Sequence, residues 1–268
     1  MLYICIPARN AASTIGVLLW RIRKVFQGYS REYEILVYDD ASSDGTAEVL
    51  GPYGEVAPLT VLRGEKPLGF GKAVEKLARE VSRRTKYPRR DAMILMQADF
   101  TDQPESLPDL VKPFEGGADI VLTRRGIKSE PSPVKRLRSL APWALRFSVG
   151  TGGVADPYAT LRLYRISLLR DLIKAVGDKP IVTSDGWAAN VEMLIATVPL
   201  ARRVETVDVE SRYDLRTRES RIKPFADAMN LFRFGRSVRG RKISLPVPAA
   251  VETTPAAQRS PRREKVTS

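Results

Sequence analysis

The chain has 268 residues, 43% of them hydrophobic, which is enough for a sizeable core in one large domain or two small ones. It contains no histidine and one cysteine, which excludes histidine-based catalytic triads, the usual zinc sites and an internal disulfide. The formal net charge of +13 at pH 7 predicts an anionic partner, namely nucleic acid, acidic lipid or a phosphorylated substrate.

Strand-like and helix-like segments alternate in the first half of the chain. Apolar runs predict five strands, at residues 2–8, 33–40, 59–64, 92–97 and 118–125. Helical periodicity fills the intervals, and Asp44 is expected to cap the short helix after the second strand. Strands separated by helices imply right-handed crossovers and therefore an α/β fold with a mainly parallel sheet covered on both faces.

Polar residues follow the end of every predicted strand. They are Arg9 and Asn10, Asp39 and Asp40, residues 63–66, residues 99–102, and Arg124 and Arg125. In open parallel sheets, ligands bind at the carboxyl ends of the strands. The sequence therefore predicts an active site at this edge.

Two segments carry most of the positive charge. Residues 124–146 contain seven cations and one acid, and the residues from 235 onward contain eight cations and two acids. A basic helical stretch that overlaps the first segment, residues 132–150 with Trp143, Leu145 and Phe147, suits an anionic membrane surface and equally an ordinary packed helix. From about residue 240 the composition predicts a disordered tail.

No apolar run approaches the roughly 20 residues that cross a bilayer. A strand-like segment at the first residues leaves no room for a signal peptide. We therefore expect a cytoplasmic protein, with peripheral attachment to the cytoplasmic face of a membrane as an open alternative.

Seven short motifs occur in a fixed order along the chain. They are P-x-x-N after the first strand, then "YDDASSDGT", "KPLGFGKA", "QADFTDQPE", "DPYATLRLYRISLL", "DGWAANVEML" and "RYDLRTRESR". The set resembles the family 2 glycosyltransferases, and most of all the polyprenol-phosphate (dolichol-phosphate) mannosyl- and glucosyltransferases. The last three motifs are similar to the family patterns D-x-x-x-G-F-R-x-Y-R, G-[FY]-x-x-x-x-E-[ML] and R-x-x-G-x-S-K.

The resemblance covers about residues 1–237 and implies a GT-A fold, a Rossmann-like sheet flanked by helices. Residues 1–125 would form the nucleotide-sugar-binding half and residues 126–237 the acceptor-binding half of one domain. Residues 238–268 would be a basic, proline-rich tail.

Two regions are implied to hold the donor, a UDP- or GDP-linked sugar. Asp39 and Asp40, with Asn10 and the backbone near Pro7 and Ala8, would hold its nucleoside, the alternative being that the acids cap a helix. In the motif after the third strand, Lys66 is a candidate phosphate ligand and Gly69 would let the backbone approach the nucleotide. A solvated lysine and a simple helix N-terminus are the alternatives.

The fourth strand ends where the family has a D-x-D metal motif. Here the triplet is Gln97, Ala98 and Asp99, so the first carboxylate is an amide. The resemblance implies that Asp99 binds Mg²⁺ or Mn²⁺, with Thr101 or Asp102 completing the site and Gln97 facing the donor. Thr101 or Asp102 could instead cap the helix that Pro104 opens, and Phe100 between the acids is expected to be exposed.

Arginines are expected to contact phosphates, because their planar forks match phosphate oxygens. Arg124 and Arg125 end the fifth strand. In the motif resembling R-x-x-G-x-S-K, Arg216 and Ser220 match the family arginine and serine, while Arg221 replaces the lysine. Ordinary surface charge is the alternative for each arginine.

Three further acids lie on the acceptor side. Asp185 and Glu192, seven residues apart, would share a helix face if Asp185 caps that helix. One of them would be the general base for an alcohol acceptor, whereas an ionised lipid phosphate needs no base and the carboxylate would position sugar hydroxyls. Asp156 is implied to touch the sugar.

We therefore predict an inverting, metal-dependent hexosyltransferase with a polyprenyl phosphate acceptor. Transfer to a sugar or small-molecule hydroxyl is the alternative within enzymes. A basic nucleic-acid-binding module is the alternative from another class, and it is disfavoured because acids at three strand ends would repel a phosphate backbone.

Overall fold

The computed structural model describes residues 1–126, 135–136, 154–210, 224–238 and 245–246, and it describes no side chains for residues 224–227. The strands are β1 Leu2–Ala8, β2 Tyr33–Asp39, β3 Leu59–Arg63, β4 Ala92–Leu95, β5 Ile120–Gly126, β6 Arg162–Arg165 and β7 Val204–Glu210. The helices are α1 Ala12–Gln27, α2 Thr46–Val56, α3 Phe70–Arg84, α4 Leu107–Glu115, α5 Ile166–Val176, α6 Gly186–Thr197 and α7 Pro224–Ser237.

The strands form one sheet in the order β3-β2-β1-β4-β6-β5-β7. Strand β6 runs antiparallel to β4 and β5, and the other pairings are parallel. The predicted mainly parallel α/β architecture is therefore confirmed.

Both faces of the sheet are covered, which explains why the central strands are apolar throughout. On one face, Met93 and Leu95 of β4 join a core with residues of α3, α5, α6 and α7. On the other face, Ile94 joins a core with residues of α1, α2 and α4. Alternate residues of a strand point to opposite faces, so the run that predicted β4 supplies both cores.

The reversed direction of β6 brings a further segment to the edge where the parallel strands end. Leu95 at the end of β4 lies opposite Arg162 at the start of β6. Residues 156–161, which precede β6, therefore arrive beside the loop that follows β4. This edge, called the carboxyl edge below, contains the candidate site.

The start of α4 differs from the prediction. A 3-10 turn at Pro104–Ser106 precedes the helix, and no side chain caps either element. Phe100, expected to be exposed, is 6% exposed and adopts a left-handed φ of 63°. Its apolar ring joins the core that contains α1 and α4, which corrects the prediction.

Several predictions concern residues that the structure does not describe. These are most of the basic segment at 124–146, the motif with Arg216, Ser220 and Arg221, and nearly all of the predicted tail. The division of the domain at residue 125 stays a prediction. Among the described helices, none is long and apolar enough to cross a membrane.

Candidate active site

The loops after β1 and β2 are tied together by hydrogen bonds. The backbone N–H of Asn10 donates to Ser42 Oγ at 2.8 Å, and the backbone N–H of Ser43 donates to the side-chain oxygen Oδ1 of Asn10 at 2.8 Å. Asn10 adopts a left-handed φ of 49°, a conformation that asparagine tolerates better than most residues. The carbonyl of Ala8 accepts from the N–H of Asp40, so the two loops form one rigid wall.

Asp39 lies under this wall. Its side chain is fully buried, and Oδ1 accepts from the Ser42 N–H at 3.0 Å. Oδ2 lies 3.6 Å from Arg63 Nε and has no hydrogen-bond partner within the described ranges. Ser42 and Arg63 also line a hollow of about 570 Å³, together with Ala41, Gly64 and Glu65. Asp39 therefore keeps acceptor capacity beside a hollow.

Asp40 has a different task. Its two carboxylate oxygens accept from the N–H groups of Leu68 at 2.6 Å and Gly69 at 3.0 Å. Asp40 thus orders the loop before α3, while Lys66 in that loop is exposed. Neither Asp39 nor Asp40 caps α2, because Asp44 accepts from the Thr46 N–H and also from the Ala12 N–H at the start of α1.

The loop after β4 contains two acids in different surroundings. Asp99 is half-buried, and its Oδ1 accepts from the Thr101 N–H at 3.0 Å. Asp102 is buried; its Oδ2 accepts from the Gln97 N–H at 3.0 Å, and its Oδ1 accepts from Arg125 Nη2 at 3.2 Å. Burial raises the pKa of Asp102 above its ordinary value, although the neighbouring Arg125 opposes the shift.

These contacts bear on the predicted metal site. The described ranges contain no group of three or more acidic, cysteine or histidine side chains that could hold a metal ion. Asp102 is occupied by Gln97 and Arg125, whereas Thr101 Oγ1 is buried and lacks a hydrogen-bond partner within the described part of the chain. With Asp102 engaged, Asp99 is the carboxylate that could hold a cation together with phosphate oxygens, because Mg²⁺ commonly binds through one or two carboxylates plus phosphates.

The two arginines at the end of β5 have separate environments. Arg124 is exposed and forms a two-pronged ion pair with Asp208 of β7, at 2.5 and 2.9 Å. The Arg125 side chain is buried against Asp102. Successive residues of a strand point to opposite sides, so Arg124 pairs with Asp208 while Arg125 contacts Asp102 of the loop after β4.

Asp185 and Glu192 each accept hydrogen bonds from backbone N–H groups, and the capping alternative for Asp185 is wrong. Asp185 occupies the position before α6, but its Oδ1 accepts from the Gly71 N–H of α3 at 3.1 Å and not from its own helix. Glu192 accepts from the N–H groups of Thr183 at 2.9 Å and Ser184 at 2.8 Å, so it orders the loop before α6. Asp185 is exposed.

The segment before β6 contains Asp156, which the resemblance implied to touch the sugar, and β6 begins with Arg162, which the sequence did not single out. Asp156 is buried, and its Oδ1 accepts from the Tyr158 N–H. The fully buried guanidinium of Arg162 donates to the carbonyls of Asn190 and Pro157. An arginine between apolar strand residues was the available signal, because a buried arginine needs several acceptors.

The sheet order, the acidic loops at its carboxyl edge and the antiparallel β6 define a GT-A glycosyltransferase fold. The family model described as "Glycosyl transferase family 2" matches residues 3–173. The chain therefore belongs to glycosyl transferase family 2. The predicted family and fold are confirmed, and the nucleic-acid-binding alternative is disfavoured.

Curated relatives of the chain include transferases named for a polyprenyl phosphate, as the motif resemblance predicted. A dolichol-phosphate mannosyltransferase of Pyrococcus furiosus is 32% identical over 125 residues, which are 47% of this chain and 33% of that protein. An undecaprenyl-phosphate 4-deoxy-4-formamido-L-arabinose transferase of Photorhabdus laumondii is 26% identical over 176 residues, 64% of this chain and 51% of the relative. The chain thus spans a third to a half of the length of these relatives.

Solved structures share the fold at low identity. Glucosyl-3-phosphoglycerate synthase from Mycobacterium tuberculosis, in complex with Mn²⁺, UDP and glucosyl-3-phosphoglycerate, has a TM-score of 0.63 and 19% identity over 92% of this chain and 81% of that one. Mannosyl-3-phosphoglycerate synthase from Rubrobacter xylanophilus has a TM-score of 0.60 and 19% identity over 88% and 73%.

Proposed function

We propose that this chain is an inverting glycosyltransferase that moves a hexose from a nucleoside-diphosphate sugar to a polyprenyl phosphate. The observation that carries the proposal is the convergence of Asp39, Asp99 and Asp156 at the carboxyl edge, from three separate parts of the chain. The printed names of the curated relatives support a polyprenyl phosphate as the acceptor.

The donor would lie along the wall formed by the loops after β1 and β2. The hollow of about 570 Å³ beside Asp39 would take the nucleoside, and Asp39 Oδ2 would accept from a base or ribose donor. Asp40 would act through the loop at Leu68 and Gly69, which it orders. The UDP bound by the M. tuberculosis relative supports a UDP- or GDP-linked sugar.

A divalent cation would be held by Asp99, and the Mn²⁺ in the M. tuberculosis relative supports Mg²⁺ or Mn²⁺. When bound, it supplies charge stabilisation for the departing diphosphate without proton transfer. Within the chain, Asp102 and Arg125 would hold the loop that presents Asp99. Arg216, Ser220 and Arg221 stay predicted phosphate ligands.

The reaction would be a direct displacement. A phosphate oxygen of the acceptor forms the bond to the anomeric carbon as the bond to the diphosphate breaks, and the electron pair leaves with the nucleotide. The acceptor is ionised near neutral pH and needs no base. For a hydroxyl acceptor, the exposed Asp185 would be the better base, because Glu192 is engaged by Thr183 and Ser184.

Transfer of radiolabel tests the proposal. The protein is incubated with labelled UDP-glucose, UDP-N-acetylglucosamine or GDP-mannose, polyprenyl phosphate and Mn²⁺, and label is measured in organic solvent. We expect organic-soluble label with one donor and its loss with EDTA. Label transferred to a water-soluble acceptor instead would identify a hydroxyl acceptor, and no transfer from any donor would contradict the proposal.

A further inference from the structure

A chain of hydrogen bonds joins the end of β4 to the segment before β6 and to α6. Gln97 Nε2 donates to Thr160 Oγ1 at 2.8 Å. Asn190 Nδ2 donates to the same oxygen at 3.1 Å and to the carbonyl of Tyr158 at 3.0 Å. Thr160 and Asn190 are 2% and 4% exposed, whereas Gln97 is half-buried. The oxygen of one threonine therefore connects three parts of the fold.

Two departures from the family patterns meet in this hydrogen bond. Gln97 stands where the D-x-D pattern has its first acid, and Thr160 stands where D-x-x-x-G-F-R has its glycine. A glycine offers no side-chain acceptor, whereas the threonine hydroxyl accepts from the Gln97 amide and from the buried amide of Asn190. The antiparallel register of β4 and β6 explains why the two residues lie side by side. Leu95 lies opposite Arg162, so two residues further along β4 and two residues earlier than β6, position 97 lies opposite position 160.

The neutral amide also suits the charges around it. Asp99 and Asp156 lie close enough to Asp102 for their charges to act on it. A fourth carboxylate at the half-buried position 97 would add repulsion among these like charges. The exchange of an acid for an amide removes this repulsion and supplies a donor for Thr160.

We propose that Gln97, Thr160 and Asn190 form a positioning unit that fixes the loop carrying Asp99 against β6 and α6, and that Gln97 fills this role in place of binding the cation. The expected effect of the unit on kcat rests on the proposed function, whereas its hydrogen bonds do not depend on that function. One measurement therefore tests the hydrogen bonds, and a second tests the effect on kcat.

The first measurement is the exchange of the Gln97 side-chain amide protons with solvent, followed by NMR and assigned from their absence in Gln97→Leu. We expect slow exchange in the wild type and in Thr160→Ser, and fast exchange in Thr160→Val, which lacks the acceptor. Equal exchange in all three proteins would overturn the proposal whether or not the protein transfers sugar.

The second measurement is steady-state kinetics with the donor that the transfer assay identifies. Loss of the positioned loop should lower kcat of Thr160→Val about tenfold while the donor KM changes less than about threefold. Thr160→Ser should restore kcat to within about threefold of the wild type, because it keeps the hydroxyl. Thr197→Val is the matched control, since Thr197 is a buried threonine at the far end of α6 that bonds the carbonyl of Met193.

A double variant tests the pairing itself. If Gln97 and Thr160 act as one unit, Gln97→Leu with Thr160→Val should lower kcat about tenfold, like either single change, and not about a hundredfold. Multiplying effects, or a Thr160→Ser protein as slow as Thr160→Val, would overturn the proposal. If Thr160→Val fails to fold, Gln97→Leu alone replaces it, with kcat and the stability of the loop as measurements. A wild type without transferase activity would contradict the proposed function, and the exchange measurement would still decide the positioning unit.

Discussion

The acids at the carboxyl edge divide by what their oxygens contact. Asp40, Asp102 and Glu192 each accept hydrogen bonds on both oxygens or from several donors, and they hold loops in place. Asp39 keeps one oxygen without a hydrogen bond inside the described ranges, and Asp99 is half-buried on the loop after β4. The first group holds loops of the candidate site in place, and the second contains the two acids proposed to bind the donor and the cation.

The first prediction concerns Asp99. Asp99→Asn removes the carboxylate proposed to hold the cation, and kcat/KM should fall about a hundredfold because charge stabilisation of the leaving group is lost. The assay is label transfer at saturating Mn²⁺. Asp208→Asn is the control, since Asp208 is an exposed acid paired with Arg124 and should keep near wild-type activity. Equal activity of both variants would contradict the role of Asp99.

The second prediction concerns the buried pair of Asp102 and Arg125. Asp102→Asn leaves the Arg125 charge buried without its carboxylate, and the free energy of unfolding should fall by about 3 kcal/mol. Urea unfolding measures the change. Asp208→Asn is the control, since it breaks an exposed pair and should change the free energy of unfolding little. An equal loss of stability in both variants would contradict the prediction that burial makes the Asp102–Arg125 pair costly to break.

At the scale of elements, the start of α3 packs closely against the segment before α6. A methyl group at Gly71 would lie 2.1 Å from the carbonyl oxygen of Ser184 and 2.8 Å from Val182. Gly69, just before the helix, has a φ of 92° and lies against the Asp185 carboxylate. These glycines therefore allow the approach of another segment of the chain, whereas the sequence suggested the approach of a nucleotide.

The third prediction follows from this contact. Gly71→Ala should destabilise the fold by about 3 kcal/mol, because backbone at 2.1 Å cannot move away locally. Gly54→Ala within α2 is the matched control, since its added methyl meets nothing within 4 Å and should stabilise the helix by about 0.5–1 kcal/mol. Thermal unfolding of the two variants measures both effects, and a stable Gly71→Ala protein would contradict the packing.

The fourth prediction is a pH dependence at Asp44, which contacts the first turns of α1 and α2. Partial burial raises its pKa, but hydrogen bonds from Thr46 and Ala12 outweigh that effect and leave the pKa below the ordinary value of 3.8. A lowered carboxyl pKa stabilises the folded state above 3.8, and this stabilisation is lost as the pH falls through the folded value.

Asp44→Ala should therefore lower the free energy of unfolding by about 1 kcal/mol at pH 7, the usual size of a capping contact. The difference from the wild type should shrink below pH 4. Urea unfolding across pH 3–7 measures it, with the exposed acid Asp178→Ala as the control. A difference that grows toward low pH would contradict the assignment.

Periodicity in the sequence predicted most elements of the fold but not how they assemble. Apolar runs identified β1 to β5. Strands β1 and β4 are buried on both faces, whereas the edge strand β3 is partly exposed and was identified by its apolar residues alone. The insertion of β6 between β4 and β5 could not be predicted, since strand order depends on contacts between distant residues. The burial of Phe100 was missed for the same reason, because its partners come from other elements of the fold.

At the scale of the whole molecule, the ordered motifs identified the family and the edge of the sheet that carries the site. They could not assign a task to each acid, because the partners of Asp40, Asp102 and Glu192 are backbone N–H groups of loops. Thr160 and Asn190 gave no signal of their own, since a buried hydrogen bond becomes visible only when the two strands are paired.

The fifth prediction concerns the charge of the whole chain. With +13 at pH 7 and a lipid-linked acceptor proposed, the protein should sediment with vesicles containing phosphatidylglycerol. Binding should weaken as salt rises, because charges at a surface are screened within about 8 Å at physiological ionic strength. Vesicles of phosphatidylcholine are the control. Equal sedimentation with both vesicle types would contradict an electrostatic attachment.

The central claim is that the carboxyl edge binds a nucleoside-diphosphate sugar through a cation on Asp99. Anomalous diffraction at the manganese edge, from crystals soaked with Mn²⁺ and the donor nucleotide, locates the cation directly. We predict one peak beside the Asp99 carboxylate in the wild type and no peak there in Asp99→Asn crystals. A manganese ion bound away from Asp99, with the nucleotide outside the hollow beside Asp39, would contradict the account.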